Sequence, residues 1–308
     1  MDASIIVCTY NRADSLAETL DALAALRTPP GCDWEVVVVD NNSSDHTAAL
    51  LRERAAGWSR LRAVSEPRQG LSHARNQGIA SARGEVLLFT DDDVLPEPDW
   101  LEQVLDGLER ERADACGGYI APIWERPPPS WLSARFHGFL AVRMDERGPF
   151  VFNPGDSPPY GANMAFRRAV FERVGGFDVN RGRKGAVLAS GEDGELFERV
   201  LAAGMRVVWL PRARVHHKVE AFRLERRYFR RWRYQNSRNL AQARGLPGGR
   251  RLLGVPLYVL PQLARAVGRW LLALATAPAD ETFRREILIH HFLGTIHGLY
   301  DTRARGHE

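Results

Sequence analysis

Val86-Leu87-Leu88-Phe89-Thr90-Asp91-Asp92-Asp93 is the stretch that decides how the rest of the chain is read. Four apolar residues without a polar break suit a strand buried on both faces, as in a parallel sheet. Three aspartates then stand where that strand ends. Like charges this close raise one another's pKa and destabilise a fold. A divalent cation removes the conflict and gives hard oxygen ligands a purpose. The alternative is a solvated acidic turn, since Asp is common after strands.

The residues before this stretch repeat the same grammar. Ile5-Ile6-Val7-Cys8 and the β-branched Val36-Val37-Val38-Val39 read as two further buried strands, and Leu61 to Ser65 as another. Between them Leu16, Leu20, Leu23 and Leu26 recur at helical spacing, with Ser15 and Glu18 fitting a capping box. Ser44 or Asp45 suits the cap of a second helix, and Leu71 to Ala82 reads as a third. Strand and helix thus alternate, which predicts an α/β fold: an open, mostly parallel sheet with right-handed crossovers and flanking helices. Ligands of such sheets bind beyond the carboxyl ends of the strands. The polar clusters fall at those ends: Thr9-Tyr10-Asn11-Arg12, Asp40-Asn41-Asn42 and Asp91-Asp92-Asp93. The first loop has neither GxGxxG nor GxxxxGK[ST], which argues against a dinucleotide oxidoreductase and a P-loop enzyme. Nucleotide phosphate would then be held by metal and by arginine, with Arg75 the candidate.

Composition sets the outer bounds. With 308 residues, 44% hydrophobic and 26% charged, the chain is neither disordered nor disulfide-rich. Cys8, Cys32 and Cys116 are odd in number and far apart, so zinc-ribbon and CxxC redox chemistry are excluded and reduced cytosolic thiols are expected. The strand-like Ser4-Ile5-Ile6-Val7 begins after three residues, and no signal peptide is expected. Charge is uneven: residues 212–308 carry 19 basic and 7 acidic side chains, whereas 1–211 carry 23 and 31. This predicts two parts, a domain over 1–220 and a basic helical C-terminal region over 221–308.

In that tail Arg223, Arg226, Arg227, Arg230, Arg231 and Arg233 interleave with Phe222, Tyr228, Phe229, Trp232 and Tyr234. Leu252 to Ala264 and Trp270 to Ala279 are uncharged but fall short of a spanning helix. Two readings stand: attachment to a membrane surface, or a helical subdomain whose apolar faces are core or a homo-oligomer interface. Nucleic acid is set aside, because no RNA-binding signature accompanies the arginines.

Five segments, in this order, resemble family 2 glycosyltransferases: Ile5-Val7-Thr9-Tyr10-Asn11-Arg12, Val39 to Asp45, Gly70-Leu71-Ala74-Arg75-Asn76, Asp91-Asp92-Asp93 and Gly191-Glu192-Asp193. Gly161-Ala162-Asn163-Met164 and Gly175-Gly176-Phe177-Asp178 resemble the acceptor-side segment, and the match runs over about residues 3–220. The resemblance implies a GT-A fold, a nucleotide-diphosphate sugar donor with UDP the expected nucleotide, Mn2+ or Mg2+, and inversion at the anomeric carbon. It implies that Asp40 contacts base or ribose, that Thr9 to Arg12 line the base pocket, and that Arg75 lies near the nucleotide. Asp91 is expected on the ribose, Asp93 on the metal, and Asp92 on either. Asp193 is the implied base, with Glu192 and Asn163 on the sugar side; as a residue opening a helix, Asp193 is also a plausible N-cap. His216 or His217 follows a late strand, where related enzymes place a metal-binding histidine; the alternative is a surface or core histidine. A positioned carboxylate suits removal of the acceptor proton, and a cation suits departure of the diphosphate.

The acceptor expected is a saccharide or lipid-linked alcohol at the inner face of the cell membrane, in polysaccharide or glycolipid synthesis. A sugar-phosphate nucleotidyltransferase is the runner-up, and lacks its expected Gly-rich first loop. A non-catalytic scaffold is disfavoured by intact Asp40, Asp91, Asp93 and Asp193. Asn180 to Ser190, rich in glycine and basic residues, is expected to be a lid that excludes water.

Overall fold

The computed structural model describes residues 1–183 and 191–305. The segment expected to act as a lid lies mostly outside the described residues. The chain divides into two compact units. The first comprises residues 1–123, 141–183 and 191–218; the second comprises residues 124–140 and 219–305.

The first unit opens with β1 (Ala3–Thr9), α1 (Ala13–Ala24), β2 (Trp34–Asp40), α2 (Thr47–Gly57), β3 (Leu61–Ser65), α3 (Leu71–Ser81) and β4 (Val86–Asp91). These four strands lie parallel in the order β3-β2-β1-β4. Their register aligns Thr9 with Asp40 and Cys8 with Asp91, so the acidic ends form one row at the carboxyl edge. β1, β2 and β4 are buried on both faces, as their apolar runs require, whereas the edge strand β3 is half-exposed. The fold is an α/β sheet whose parallel centre matches the alternation in the sequence.

The rest of the sheet is antiparallel. It uses β5 (Val94–Pro96), β6 (Ala115–Trp124), β7 (Phe150–Val151), β8 (Met164–Arg167) and β9 (Val207–Val219), with α4 (Trp100–Arg110), α5 (Arg168–Val174) and α6 (Glu192–Ala202) between them. β8 runs antiparallel to β4 and β6, and β9 pairs antiparallel with β5 and β7. On one face of the sheet Phe89 meets Phe166, Phe171 and Phe177 edge-on, with ring centroids 5.9, 6.1 and 5.5 Å away.

One local expectation is overturned. Ser15 does not cap α1: the helix starts two residues earlier, and the Ser15 hydroxyl has no hydrogen-bond partner among the described residues. The cap comes from another loop, where Asp45 Oδ2 accepts the Ala13 N–H at 3.2 Å and Oδ1 accepts the Thr47 N–H at 3.0 Å. One carboxylate therefore serves the starts of α1 and α2, which local spacing does not reveal.

The second unit holds α7 (Arg226–Arg244), α8 (Val259–Thr276) and α9 (Ala279–Arg305). Gly294 and Gly298 let α9 lie against α7; a Cβ on either would meet the backbone oxygen of Tyr234 or Arg238 at 2.2–2.3 Å. Trp131, Phe136, Phe229 and Phe283 form an aromatic cluster, with Trp131 and Phe283 centroids 4.7 Å apart. The arginine-aromatic run is thus partly internal: Tyr228 and Phe229 are core, Arg230 pairs with Glu286 and Arg238 with Asp301, while Phe222 and Arg227 are exposed. Among the described residues no helix is long and apolar enough to cross a membrane.

Phe89→Ala removes the ring that three others pack on. It is expected to cost about 3–5 kcal/mol by urea unfolding, whereas Val151→Ala at an exposed position is expected to cost about 0.5 kcal/mol or less.

Candidate active site

The site is assembled within the first unit, at the carboxyl edge of β1, β2 and β4. Thr9, the last residue of β1, is buried and its hydroxyl donates to Asp92 Oδ2 at 2.7 Å. Arg12 reaches the same cluster, with Nη2 3.0 Å from Asp93 Oδ2 and Nε 3.5 Å from Asp92 Oδ1. From β9, the buried His217 sets Nε2 3.3 Å from Asp93 Oδ1. Asp93 thus lies between a guanidinium and an imidazole. The pairing of β5 with β9 does this, since it places His217 opposite Val94.

His216 is not brought to this cluster. Side chains alternate along a strand, and His216 points elsewhere, 3.2 Å from Glu97 Oε1.

Arg75 joins the two ends of the site. It rises from α3, is almost fully buried, and places Nη1 on Asp193 Oδ1 and 3.0 Å from Glu192 Oε1. Its Nη2 lies 3.8 Å from Asp91 Oδ1, and its guanidinium carbon lies 5.2 Å from the centre of the Phe177 ring. Asp193, in the first turn of α6, accepts the Gly161 N–H on Oδ2 at 2.8 Å. A Cβ on Gly161 would sit 2.2 Å from Arg75 Nη2 and 2.7 Å from Asp193 Oδ2, so only glycine fits there. Asp193 makes no cap of its own helix; its two oxygens are used by Arg75 and Gly161.

Two expected ligand contacts have structural partners instead. Asn163 is buried with its amide bonded to the Tyr119 and Ala213 carbonyls at 3.0 and 2.8 Å, while its oxygen accepts the Trp100 indole N–H at 2.9 Å. That side chain posts the sheet together and offers little to a sugar. Asn11, with φ of 51°, accepts the Ser44 N–H at 2.7 Å and ties the first loop to the second. Asp40 accepts the Ser43 N–H at 3.0 Å and remains partly accessible, and Tyr10 is exposed.

One residue given no separate role by sequence reasoning is central. The buried Asn41 donates to the Glu66 and Arg68 carbonyls at 2.9 and 2.8 Å and accepts the Gly70 N–H at 2.8 Å. It fixes the start of the helix that carries Arg75. Its place in the Asp40-Asn41-Asn42 run was the available signal.

These contacts sit on a fold that the comparisons with known proteins identify. The model of the family described as "Glycosyl transferase family 2" matches residues 4–175. The chain belongs to that family. It is 31% identical over 229 residues to the glucosyl-dolichyl phosphate glucuronosyltransferase of Haloferax volcanii, covering 73% of this chain and 72% of that one. It is 31% identical over 217 residues to the succinoglycan biosynthesis protein ExoM of Rhizobium meliloti, covering 69% and 65%. The structure is similar to mannosyltransferase PcManGT of Pyrobaculum calidifontis, solved with GDP-Man and Mn2+, with a TM-score of 0.62 and 23% identity over 97% of this chain and 87% of that one. This family 2 chain is therefore a glycosyltransferase of GT-A fold, related to enzymes of polysaccharide and glycolipid synthesis.

The electrostatics of this transferase follow from burial. Asp92 is pushed up to about 7, first by burial and then by Asp93, with Arg12 and the Thr9 hydroxyl pulling the other way. Asp91 is raised chiefly by burial, against the pull of Arg75. Glu192 is pushed up to about 7 by burial and by Asp193, and its Oε2 has no hydrogen-bond partner among the described residues. The carboxylate of Asp93 and the imidazole of His217 are a donor pair that suits Mn2+ or Mg2+. Among the described residues no third such group completes a closed cage.

The raised Glu192 carries a pH signature. Its carboxyl holds a proton in the folded chain after the unfolded chain has lost it, so it costs stability as pH rises from 4.5 to about 7. Glu192→Gln removes that loss. The melting temperature of the variant, measured against the parent, is expected to improve from pH 4.5 to 7 and then level off.

Proposed function

We propose that this transferase moves a sugar from a nucleoside diphosphate to an acceptor hydroxyl in one inverting displacement, with Asp193 as the base. The observation that carries this reading is Arg75, whose one guanidinium contacts both Asp91 at the sheet edge and Asp193 at the start of α6. This supports a reading in which nucleotide side and acceptor side lie at the two ends of that one side chain.

The roles follow from position. Asp40 and Asp91 flank the end of β1 and take the base and ribose, with the Thr9 to Arg12 loop beside them. Asp93 and His217 would hold Mn2+ or Mg2+. When bound, the cation supplies Lewis-acid stabilisation of the departing diphosphate. Arg12 meets Asp92 and Asp93 and keeps the acidic turn in shape. The Gly161 N–H and Arg75 orient Asp193, which is about one-fifth exposed and so open to an incoming alcohol. Its carboxylate takes the acceptor proton as the oxygen attacks. Inversion requires that this base and the leaving group lie on opposite sides of the sugar. His216, paired with Glu97 away from Asp93, has no part in this scheme.

UDP is the proposed nucleotide of the donor, on the strength of the family resemblance. The acceptor is proposed to be a saccharide or a lipid-linked sugar presented at the inner face of the cell membrane, supported by the dolichyl phosphate and succinoglycan of the relatives' names.

Two substitutions test the division of labour. Asp193→Asn is expected to keep donor binding and lose transfer by roughly 10²–10⁴-fold; retained transfer would overturn the base assignment. Asp93→Ala is expected to abolish the Mn2+-dependent rise in melting temperature with nucleotide diphosphate. Across UDP, GDP, dTDP and CDP the largest rise is expected with UDP, and a larger rise with another base would overturn that choice.

A further inference from the structure

We propose that α8 is the element by which this chain docks on an anionic lipid surface, with its exposed leucines in the acyl boundary and its arginines on lipid phosphates. The proposal deepens the membrane-face reading given above. It places the contact on α8 rather than on the arginine-aromatic helix α7.

Burial separates the two helices. The aromatic side of α7 goes into the core of the second unit, where Phe229 packs on Trp131 and Phe136. α8 does the opposite. Of its 18 residues only Val259, Ala266 and Ala273 are buried, a narrow stripe at a spacing of seven. Its large side chains face outward: Leu260, Leu271, Leu272 and Leu274 are 45%, 54%, 62% and 59% exposed. At about 100° per residue Leu260, Leu271 and Leu272 fall in the arc within about 60° of the direction opposite the buried stripe, and Leu274 lies on its flank. A water-facing helix would carry charge there. Its two charged residues, Arg265 and Arg269, lie instead one turn apart on a flank of that arc.

Charge names the occupant. Residues 226–279 contain 11 arginines and not one aspartate or glutamate. Arg230 and Arg238 are matched by Glu286 and Asp301 within the chain, but α8 carries Arg265 and Arg269 and no acidic residue, so a second copy would have to set these arginines against their own counterparts. An anionic bilayer meets both features, since exposed leucines flanked by arginines describe a helix lying in the interface. The flank also adjoins a crevice of about 320 Å³ between α8 and α9, lined by Arg269, Arg284 and Arg285 together with Ala266 and Leu288. Glu281 is the carboxylate beside it and is shared by Arg135, Arg284 and Arg285, so positive charge remains in excess. Arg269 has no acidic partner among the described residues, and its side chain is exposed.

The test is flotation of the full chain with phosphatidylcholine vesicles, with and without phosphatidylglycerol. Binding is expected with phosphatidylglycerol. The paired variant Leu271→Ser, Leu272→Ser changes exposed positions only, and is expected to keep the parent's circular dichroism while losing vesicle binding by at least about tenfold. Arg265→Gln with Arg269→Gln is expected to weaken the phosphatidylglycerol-dependent part by about fivefold per arginine. Failure to bind either vesicle, or binding that the leucine pair does not weaken, overturns the proposal. So does a dimer in sedimentation velocity that the leucine pair dissociates, which would assign the face to a second copy. Binding abolished by inorganic phosphate at constant ionic strength would assign the crevice to a free anion. Donor binding by thermal shift is read on the same variants. Its loss in the parent would tell against the transfer reading and leave the flotation result standing.

Discussion

The site depends on one buried cation. Burial works against the charge of Arg75, and Asp193, Glu192 and Asp91 together outweigh that cost. Each carboxylate in turn depends on the guanidinium, because a buried ion without a partner is strongly destabilising. Lysine would not serve. A planar fork presents donors to several carboxylates at once and lies flat on an aromatic face, as Arg75 does on Phe177. The flatness of the surroundings follows: Gly161 has no side chain because the guanidinium and the Asp193 carboxylate take up its space. The parts quoted from distant stretches of sequence, Arg75, Gly161 and Glu192-Asp193, are thus one physical object.

Around that object the strand register does the coarse positioning and the asparagines do the fine positioning. Pairing of β1 with β2 and β4 lines up Asp40, Thr9 and Asp91 without any contribution from loops. The loops are then tied to each other. Asn11 accepts from Ser44 across 33 residues, and Asn41 accepts from Gly70 across 29. Asn11 and Asn42 both hold φ near 60°, a conformation asparagine tolerates better than most residues. These side chains shape the cleft by spending their polar atoms on the protein itself.

This explains what was legible beforehand. The parallel half of the sheet was readable because β1, β2 and β4 each hold a continuous apolar run that ends in polar residues, and each crossover is local. The antiparallel half was not. β8 is four residues long, and its partners Val86–Phe89 and Ala115–Gly117 lie dozens of residues upstream. The choice between His216 and His217 needed the partner strand, because neighbouring residues face opposite ways and only the register with Val94 tells which way is inward. Asn163 was read as a sugar-side residue from its motif; only the fold shows that its amide already bonds the Tyr119 and Ala213 carbonyls and the Trp100 indole. In the tail, composition announced positive charge and apolar surface but not which helix would hide its face. That depended on Gly294 and Gly298, which admit α7 to α9.

The acidic turn itself shows how a costly sequence is made tolerable. Asp91 closes β4 and Val94 opens β5, so Asp92 and Asp93 occupy a two-residue connection between strands. Free of other ties, three adjacent carboxylates would push that connection into solvent. Instead the Asp93 carbonyl accepts the Lys218 N–H at 2.9 Å, while Thr9 holds the Asp92 carboxyl from β1. The turn is clamped by the first strand and the last strand of the unit at once. A three-residue strand such as β5 contributes little alone; pairing it with β9 fixes the Asp93 backbone and delivers His217 in the same stroke. The chemistry of the turn and the closing of the sheet therefore rest on the same contacts, and a chain that mispaired β9 would lose both.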